Sequence, residues 1–377
     1  MTKLFCYAPW TNLEILPSGE ILPCCKFRPT LDQETFNITQ HTIQDFRNSQ
    51  TLAQVKQDFI QGKWPMGCGR CQIEEASGIQ SKRILDYTRW KEHYDLYNLN
   101  SGHILTISLA FGNVCNLKCV ICGPEASSKW QKEYFDVYNI KIKSIESIRK
   151  TIIKGISDIA PELVHVDIHG GEPFLSGIDE HRDFLDYYIN NGQANKISIH
   201  YTTNGTLWPD QEWVDRWQHF KEIDLQISID GIGERYEYLR YPASWSILKD
   251  NVQQYIAHEK THSNFRLSIA HTVSAYNVYY LDEFVTWCSK IGLPKPWMGK
   301  LHRPDSLRPT VWHKDAKIFI AEQLESSIYE EVRKWANHLR TVDDSELFDT
   351  FVERTLVHDQ YRNLDFKKVF PELANYI

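Results

Sequence analysis

Three cysteines in the first third of the chain have the spacing of an iron–sulfur motif. Cys115, Cys119 and Cys122 form C-x3-C-x2-C, and no fourth cysteine follows nearby. Three thiolates can hold a cubic [4Fe–4S] cluster and leave one iron without a protein ligand. Electron-transfer clusters use four cysteines, so every iron in them has a protein ligand. An open iron can coordinate a substrate or cofactor, as catalytic metal sites do. The motif therefore predicts chemistry at the cluster rather than electron storage alone.

The cysteine count and the net charge limit the classes of protein to which the chain could belong. The chain of 377 residues has nine cysteines, and eight of them lie within the first 122 residues. An odd, clustered set in a large chain without a signal peptide indicates metal ligands rather than disulfides. The formal net charge of −7 argues against a nucleic-acid partner. No run approaches the roughly 18 apolar residues of a membrane span, so we expect a cytoplasmic protein without membrane contact.

From about residue 103 short β-rich runs alternate with helical stretches, which predicts an α/β fold. Six such strands with intervening helices indicate a parallel sheet, and the economical fold is an open partial TIM barrel, (β/α)6. The predicted strands are His103–Ala110, Leu163–His169, Lys196–Thr202, Ile223–Asp230, Phe265–Thr272 and Lys295–Leu301. The predicted helices between them are Pro124–Tyr138, Asp179–Asn191, Asp210–Phe220, Trp245–Lys260 and Tyr280–Ile291.

The two ends of the chain depart from this alternation. Leu13–Ile15 and Glu20–Leu22 flank Pro17-Ser18-Gly19, which predicts a β-hairpin. Helices are expected at Thr42–Gly62, Glu74–Tyr94, Ala316–Leu339 and Ser345–Val357. We therefore expect a small cysteine-rich N-terminal domain at 1–100, the barrel at 101–310 and a C-terminal helical extension at 311–377.

Polar and glycine-rich motifs follow three of the predicted strands. They are His169–Pro173, which contains Glu172, then Thr202–Gly205, and then the run that contains Ser228 and Asp230. In parallel α/β folds the active site gathers at the carboxyl ends of the strands. Glycines there permit close backbone approach, and a carboxylate can accept a hydrogen bond from an ammonium group. Ser228 and Asp230 share one face and could bind ribose hydroxyls.

The cysteine motif and these three strand-end motifs occur in the order seen in the radical S-adenosylmethionine (radical SAM) superfamily. The chain resembles that superfamily over roughly 104–304, more than half its length. The resemblance implies a [4Fe–4S] cluster whose open iron chelates S-adenosylmethionine. It also implies reductive cleavage of that cofactor to methionine and a 5′-deoxyadenosyl radical, which abstracts a hydrogen atom from the substrate.

The resemblance also assigns the glycine-rich turn. It implies that Gly170, Gly171 and Glu172 hold the methionine amino group of the cofactor. One departure concerns the position before the third cysteine, where many family members carry an aromatic residue and this chain has Ile121. Packing of adenine against that side chain is therefore in doubt, whereas the cluster is not.

Further cofactor contacts are implied on the later strands. By resemblance, Ser228 and Asp230 face the ribose, and Asn204 lies close to the cofactor. Asn277, after the fifth predicted strand, matches a weaker family position near the adenine and carboxylate.

The N-terminal cysteines form a second motif. Cys6, Cys24, Cys68 and Cys71 supply four thiolates, enough to close one cluster. Their spacing resembles that of the SPASM and twitch domains, which carry auxiliary clusters in radical SAM enzymes, although those domains usually follow the barrel. A structural zinc site is the alternative. Cys25 could replace Cys6 or Cys24 as a ligand, or it could be a spare thiol beside the site. If only three of these five cysteines are ligands, the auxiliary cluster would have an open iron for substrate, and if four are ligands, the cluster would accept or relay an electron.

Cys288 stands apart from both motifs. A lone cysteine in a helix is commonly a buried packing residue. The catalytic alternative is a hydrogen-atom donor to a substrate radical, as epimerases of the superfamily use.

The function predicted from these motifs is that of a radical SAM enzyme catalysing oxidation, cross-linking or epimerisation. The substrate is a carbohydrate or other small molecule, which we favour slightly, or a peptide. A one-electron donor such as flavodoxin or ferredoxin is the expected partner. The alternative from another class is a non-catalytic zinc- or cluster-binding adapter.

Overall fold

The computed structural model of the chain describes residues 4–76, 80–141, 156, 160–175 and 177–377. The chain divides into two compact units. The first comprises Met1–Asn113, Ser144–Tyr201 and Trp213–Ile223, and the second comprises Val114–Lys143, Thr202–Glu212 and Asp224–Ile377. Among the helices that can be described, none is long and apolar enough to cross a membrane.

The strands, in chain order, are β1 Asn12–Ile15, β2 Glu20–Leu22, β3 Phe36–Asn37, β4 Thr106–Ala110, β5 His165–His169, β6 Ser198–Thr203, β7 Glu222–Ser228, β8 Phe265–Val273 and β9 Trp297–Lys300. The helices, in chain order, are α1 Ala8–Thr11, α2 Ile43–Arg47, α3 Gln50–Ile60, α4 Gly69–Ala76, α5 Lys82–Leu96, α6 Ser128–Tyr138, α7 Ile178–Asn190, α8 Gln211–Trp217, α9 Gly233–Leu239, α10 Trp245–Thr261, α11 Leu281–Lys290, α12 Lys314–Glu325, α13 Glu330–Thr341, α14 Phe348–Arg362 and α15 Phe366–Val369.

The first unit contains a mixed sheet. β1 and β2 form the predicted antiparallel hairpin, and β3 pairs with β2. β1 also pairs in parallel with β4, which is followed in the sheet by β5 and then β6, all parallel. The N-terminal hairpin therefore continues the same sheet as the first barrel strands, a pairing that local sequence patterns did not reveal.

The second unit contains the later strands and the C-terminal helices. β8 and β9 pair in parallel, and α10 packs against β8. Helices α12 and α13 pack closely on each other, and α14 contacts α6. The core of this unit includes several large side chains without exposed surface, among them Trp130, Trp312 and Phe351.

The predicted α/β class with a parallel partial barrel is confirmed, because all six predicted barrel strands are present within a few residues of their expected bounds. The predicted domain boundaries at 100 and 310 stay predictions. The helix expected at Thr42–Gly62 is broken, since the Ser49 hydroxyl accepts a hydrogen bond from the backbone of Leu52 and starts a new helix there.

Two other predicted helices are also interrupted. Ser81 caps the start of α5 by accepting from the backbone N–H of Ile84, so the segment expected as one helix at Glu74–Tyr94 contains α4 and α5. In the C-terminal extension, the Ser327 hydroxyl accepts from the Tyr329 backbone and separates α12 from α13.

Candidate functional site

The cysteine motif lies on a loop whose backbone is fixed at several points. Within the second unit, the Lys118 N–H donates to the Tyr241 carbonyl at 2.6 Å, and the Val120 N–H donates to the Leu239 carbonyl at 2.9 Å. The Ser127 hydroxyl donates to the Leu117 carbonyl at 2.5 Å. The loop is therefore held in a defined shape by its neighbours, which is what a three-thiolate ligand set requires. The three thiols themselves are Cys115, Cys119 and Cys122, the first two buried and the third half-buried.

The thiols interact electrostatically with each other and with a buried arginine. A hydrogen bond from the Cys122 thiol lowers the pKa of Cys119 to about 7, and the nearby Arg240 guanidinium acts in the same direction. The same hydrogen bond, together with burial, raises the pKa of Cys122. Iron binds thiolates rather than thiols, and the Arg240 guanidinium favours the thiolate form of both Cys119 and Cys122. The residues present therefore fit a cluster.

Asn204 is the predicted cofactor residue that lies beside the cysteine loop. Its Nδ2 donates to the Asn116 Oδ1 at 2.9 Å and lies 3.9 Å from the Cys115 Sγ. Its Oδ1 accepts from the backbone and hydroxyl of Thr206. The predicted proximity of Asn204 to the cluster motif is therefore present in the structure, whereas its role toward the cofactor stays a prediction.

Asp230 and Asn277 meet in one buried network after β7 and β8. Asp230 accepts from the Thr272 N–H at 2.8 Å and pairs with the Arg240 guanidinium at 2.6 Å. The Asn277 amide donates to the carbonyls of Asp230 and Thr272 at 3.0 and 2.9 Å. Both side chains thus brace the ends of these strands. Ser228 ends β7 and is half-buried, and ribose or adenine contacts by these residues stay predictions.

The glycine-rich turn follows β5 in the first unit. Gly170 and Gly171 have φ values of 82° and 56°, which glycine adopts more readily than other residues. A Cβ on Gly170 would lie 2.6 Å from the Cβ of Ala110 and 2.9 Å from the Cγ of Pro17. Glu172 has no exposed surface, and its Oε1 lies 3.5 Å from the Phe174 N–H. The turn is therefore tightly packed, while its predicted contact with the methionine amino group stays untested.

The four N-terminal thiols expected to hold the auxiliary cluster line one cavity in the first unit. Lys26, Lys82, Arg83 and Asp86 line it too, and the excess of positive charge among them suits an anionic cluster. Cys25 does not line this cavity, which favours the four cysteines that do line it over Cys25 as candidate ligands. Among the residues that can be described, no three His, Cys, Asp or Glu side chains converge on a single metal ion. The four thiols that line the cavity belong to Cys6, Cys24, Cys68 and Cys71.

Cys288 packs on the apolar face of α11. It is 1% exposed and shares that face with Leu281, Phe284 and Val285. Burial raises the pKa of its thiol to about 12. This environment suits a packing residue, and the predicted hydrogen-atom donor role stays untested.

A row of polar residues crosses four strands of the first unit and was not recognised from the sequence. Glu14, Ser108, Asp167 and His200 are in register on β1, β4, β5 and β6. Burial alone would raise the pKa of Asp167. The hydrogen bond from His165, at 3.1 Å, and the nearby charge of His200 outweigh burial, so the pKa of Asp167 is lowered. The opposite face carries buried hydrophobic residues: Leu13, Ile15, Ile107, Leu109, Val166, Ile168 and Ile199.

Such a row is unusual in a parallel sheet, whose strands are commonly apolar on both faces. The Asp167 side chain is 35% exposed, whereas Glu14 is buried, so only part of this polar face is accessible to small polar groups. The signal was present in the sequence as the alternation His165-Val166-Asp167-Ile168-His169. We take this polar face, defined by Glu14, Ser108, Asp167 and His200, as a second candidate for substrate contact.

Comparison with known families matches both cysteine regions. Residues 109–265 match the radical SAM superfamily, and residues 6–72 match the SPASM iron–sulfur cluster-binding domain. The first match contains the C-x3-C-x2-C motif and the three strand-end motifs. The second contains all four thiols that line the N-terminal cavity.

Two curated proteins are similar to parts of the chain. The sporulation killing factor maturation protein SkfB of Bacillus subtilis is 23% identical over 252 residues, which cover 65% of this chain and 54% of SkfB. The cysteine-type anaerobic sulfatase-maturating enzyme of Clostridium novyi is 30% identical over 139 residues, covering 34% of this chain and 33% of that enzyme. The chain thus spans about half and about a third of the length of these relatives.

Solved structures with lower similarity include two described with bound peptides. The structure of anSMEcpe with bound AdoMet and Cp18Cys peptide is 18% identical, with a TM-score of 0.39 over 53% of this chain and 52% of that chain. Streptococcus suis SuiB bound to precursor peptide SuiA is 14% identical, with a TM-score of 0.34 over 57% of this chain and 52% of that chain. TM-scores of this size do not define a shared arrangement of the site.

Proposed function

Because the chain is a radical SAM enzyme with an N-terminal SPASM-type domain, we propose that it removes a hydrogen atom from a polypeptide substrate and completes an oxidation. The protein uses a [4Fe–4S] cluster, S-adenosylmethionine and an auxiliary iron–sulfur cluster. When bound, these cofactors supply reductive cleavage of S-adenosylmethionine to a 5′-deoxyadenosyl radical. The chain itself binds the cofactors, orients the substrate and handles the proton.

The observation that carries this proposal is the fixed loop with three thiols and no fourth cysteine. We assign Cys115, Cys119 and Cys122 as the ligands of the catalytic cluster. Their loop is held by backbone hydrogen bonds to 239–241, and Asn204 lies against its first cysteine. An iron without a protein ligand in such a site is available to a cofactor that supplies an amino and a carboxylate group.

The remaining predicted residues are assigned to S-adenosylmethionine. The turn that contains Gly170, Gly171 and Glu172 offers backbone groups and a buried carboxylate to the amino group. Ser228 is assigned to the ribose. Asp230 and Asn277 are engaged with Arg240 and with backbone groups, so we assign them the task of shaping the strand ends that receive the cofactor.

A polypeptide substrate is supported by the names of the two curated relatives. One is named for maturation of a sporulation killing factor and the other for maturation of sulfatases. The sequence alone slightly favoured a carbohydrate or other small molecule. The names of the relatives shift this preference toward a segment of a peptide or protein, and the accessible part of the polar face at Asp167 would contact its polar groups.

An oxidative outcome is supported by the N-terminal cavity and by Cys288. Four thiols line the cavity, and we assign them as the full ligand set of an auxiliary cluster, which would suit electron transfer rather than substrate coordination. Cys288 is buried among apolar side chains, which argues against a donor that returns hydrogen to a substrate.

The electron and proton balance of the oxidation can be written for the substrate. On this proposal the substrate would lose a hydrogen atom to the 5′-deoxyadenosyl radical, then one electron to the auxiliary cluster and one proton to a neighbouring polar side chain or water. Asp167 is not assigned this role, because its lowered pKa makes its carboxylate a weak base. A one-electron donor such as flavodoxin or ferredoxin would supply the reducing electron for cofactor cleavage.

The test is mass spectrometry of candidate polypeptides after anaerobic incubation with the reduced enzyme and S-adenosylmethionine. We expect a product lighter than the substrate by two hydrogen atoms, formed together with 5′-deoxyadenosine. A carbohydrate panel run in parallel serves as the control for substrate class. Turnover of a carbohydrate but of no polypeptide would contradict the proposed substrate. An unchanged substrate mass with inversion of one residue would contradict the proposed oxidation.

A further inference from the structure

A buried cluster of charged side chains, defined by Lys118, Glu133, His358 and Arg362, ties the C-terminal helix to the cysteine loop. Glu133 in α6 has no exposed surface. Its carboxylate lies 2.6 Å from the Lys118 Nζ, 2.7 Å from the His358 Nδ1 and 2.8 Å from the Arg362 Nε. Lys118 is part of the cysteine motif, whereas His358 and Arg362 belong to α14. One carboxylate therefore joins α6, α14 and the loop.

Arg362 lies against the rings of two aromatic residues that are themselves hydrogen-bonded to the cysteine loop. Its guanidinium lies 4.6 Å from the ring centroid of Trp130 and 5.3 Å from that of Tyr241. The Trp130 Nε1 donates to the Cys119 carbonyl at 3.0 Å, and the Tyr241 carbonyl accepts from the Lys118 N–H. The guanidinium is thus held in place relative to the loop by stacking as well as by its ion pair.

The terminal nitrogens of Arg362 are buried donors. Its side chain is 1% exposed, and its Nη1 and Nη2 have no hydrogen-bond partner among the residues that the structure describes. A buried cation with open donors is costly unless an anion or acceptor lies nearby. The thiolates of the cysteine loop and a cluster bound to them would supply that negative charge.

The charges within the cluster leave an excess of one positive charge. Lys118 and Arg362 are cations, and Glu133 is the anion between them, since its interactions with His358, Arg362 and Lys118 outweigh burial and lower its pKa to about 2. Burial lowers the pKa of His358, so its ring is neutral and donates to Glu133 through Nδ1. This excess positive charge therefore lies next to the cysteine loop, to which we assign an anionic metal cluster.

We propose that Arg362 is a positioning residue of the catalytic site, which holds the cysteine loop against α14 and stabilises the reduced form of the cluster through its positive charge. This inference rests on the proposed assignment of Cys115, Cys119 and Cys122 as ligands. It gives the C-terminal helical extension a specific task in the reaction, because reduction of the cluster precedes cofactor cleavage.

The experiment is a redox titration of the anaerobically reconstituted full-length enzyme, followed by electron paramagnetic resonance. The catalytic cluster is identified as the signal that changes when S-adenosylmethionine is added. At a fixed potential, Arg362→Gln is expected to lower the ratio of reduced to oxidised cluster about tenfold, the scale of one unit charge in a protein interior, or about 59 mV. Glu133→Gln removes a negative charge and is expected to shift the ratio in the opposite direction.

Opposite shifts distinguish an electrostatic role from a merely structural one, which would move both variants alike. Lys132→Gln is the matched control, because Lys132 neighbours Glu133 on α6 and its side chain is 82% exposed. We expect no shift there. If Arg362→Gln loses its iron, Arg362→Lys carries the test, because it keeps the charge. Retained iron with a near-wild-type potential supports the inference, and loss of iron there too overturns it.

The same titration separates failure of this inference from failure of the proposed function. A wild-type protein in which no signal responds to S-adenosylmethionine would overturn the assignment of the cysteine loop. A responding wild-type signal, with unchanged potentials in Arg362→Gln and Glu133→Gln, would overturn only the role of Arg362.

Discussion

Substitution of Gly170 by alanine is expected to damage the turn after β5 far more than an equivalent change elsewhere. The φ of Gly170 is 82°, and an added Cβ would lie 2.6 Å from the Ala110 Cβ and 2.9 Å from the Pro17 Cγ. Left-handed backbone costs a non-glycine residue about 1–2 kcal/mol, and overpacking against such rigid atoms adds about 1–3 kcal/mol. Gly170→Ala should therefore destabilise the protein by about 2–5 kcal/mol.

Gly192 provides a matched control in the same unit. Its φ is 66°, it follows the end of α7, and an added Cβ would meet no atom within 4 Å. Gly192→Ala should therefore cost only the backbone strain, about 1–2 kcal/mol. At about 2 °C per kcal/mol, the thermal midpoint should fall by about 4–10 °C for Gly170→Ala and by about 2–4 °C for Gly192→Ala.

Binding of S-adenosylmethionine tests the function of the turn. If the turn holds the methionine amino group, loss of one hydrogen bond of about 1.4 kcal/mol in Gly170→Ala would weaken cofactor binding about tenfold. Gly192→Ala should bind normally. Equilibrium dialysis with labelled cofactor and thermal denaturation of both variants give the two quantities. Equal thermal midpoints and equal dissociation constants in the two variants would refute this reasoning.

Three further predictions concern single side chains. Cys24→Ser should lose the irons of the auxiliary cluster, about two to four per chain, whereas Cys25→Ser should keep the wild-type content, because Cys24 lines the N-terminal cavity and Cys25 does not; equal iron loss in a colorimetric assay would count against this. Burial lowers the pKa of His181 from 6.5 to about 3, so the unfolded chain binds the proton more readily and stability falls as the pH drops below 6.5. By about pH 5.5 the loss should be about 1.4 kcal/mol in urea denaturation, and His181→Gln should remove that part of the pH dependence; an unchanged slope would show that His181 titrates normally. Cys288→Ala should turn over at the wild-type rate, and a variant that still cleaves S-adenosylmethionine but releases no product would restore the hydrogen-donor hypothesis.

The sequence allowed much of the fold to be predicted because its strands have strong local patterns. Runs such as Lys196–Thr202 and Ile223–Asp230 alternate in period two, and β6 and β7 lie there. The breaks in the helices were missed because a serine such as Ser49 can either cap a new helix or lie within a continuous one. The sequence alone gives only a weak signal for which of the two occurs. The parallel pairing of β1 with β4 joins segments about ninety residues apart, and no local pattern carries such a pairing.

In the candidate site, too, local motifs could be predicted from the sequence, whereas contacts between residues distant in sequence could not. The cysteine spacing and the strand-end motifs are local, and family comparison matches both cysteine regions. In contrast, the contact of Arg362 with Glu133 joins positions 229 residues apart in sequence. The separation of Cys25 from its neighbour Cys24 depends on how the chain turns around the cavity, which adjacency in sequence does not reveal.

Cofactor cleavage at the cysteine loop is the central step of the proposed reaction, and formation of 5′-deoxyadenosine measures it directly. Anaerobically reconstituted protein would be incubated with S-adenosylmethionine, dithionite and candidate polypeptides, and the product followed by chromatography. The control is a variant in which Cys115, Cys119 and Cys122 are all alanine. We predict 5′-deoxyadenosine from the wild type and none from the variant. No 5′-deoxyadenosine from a wild-type protein with its full iron content, or equal amounts from both proteins, would contradict the account.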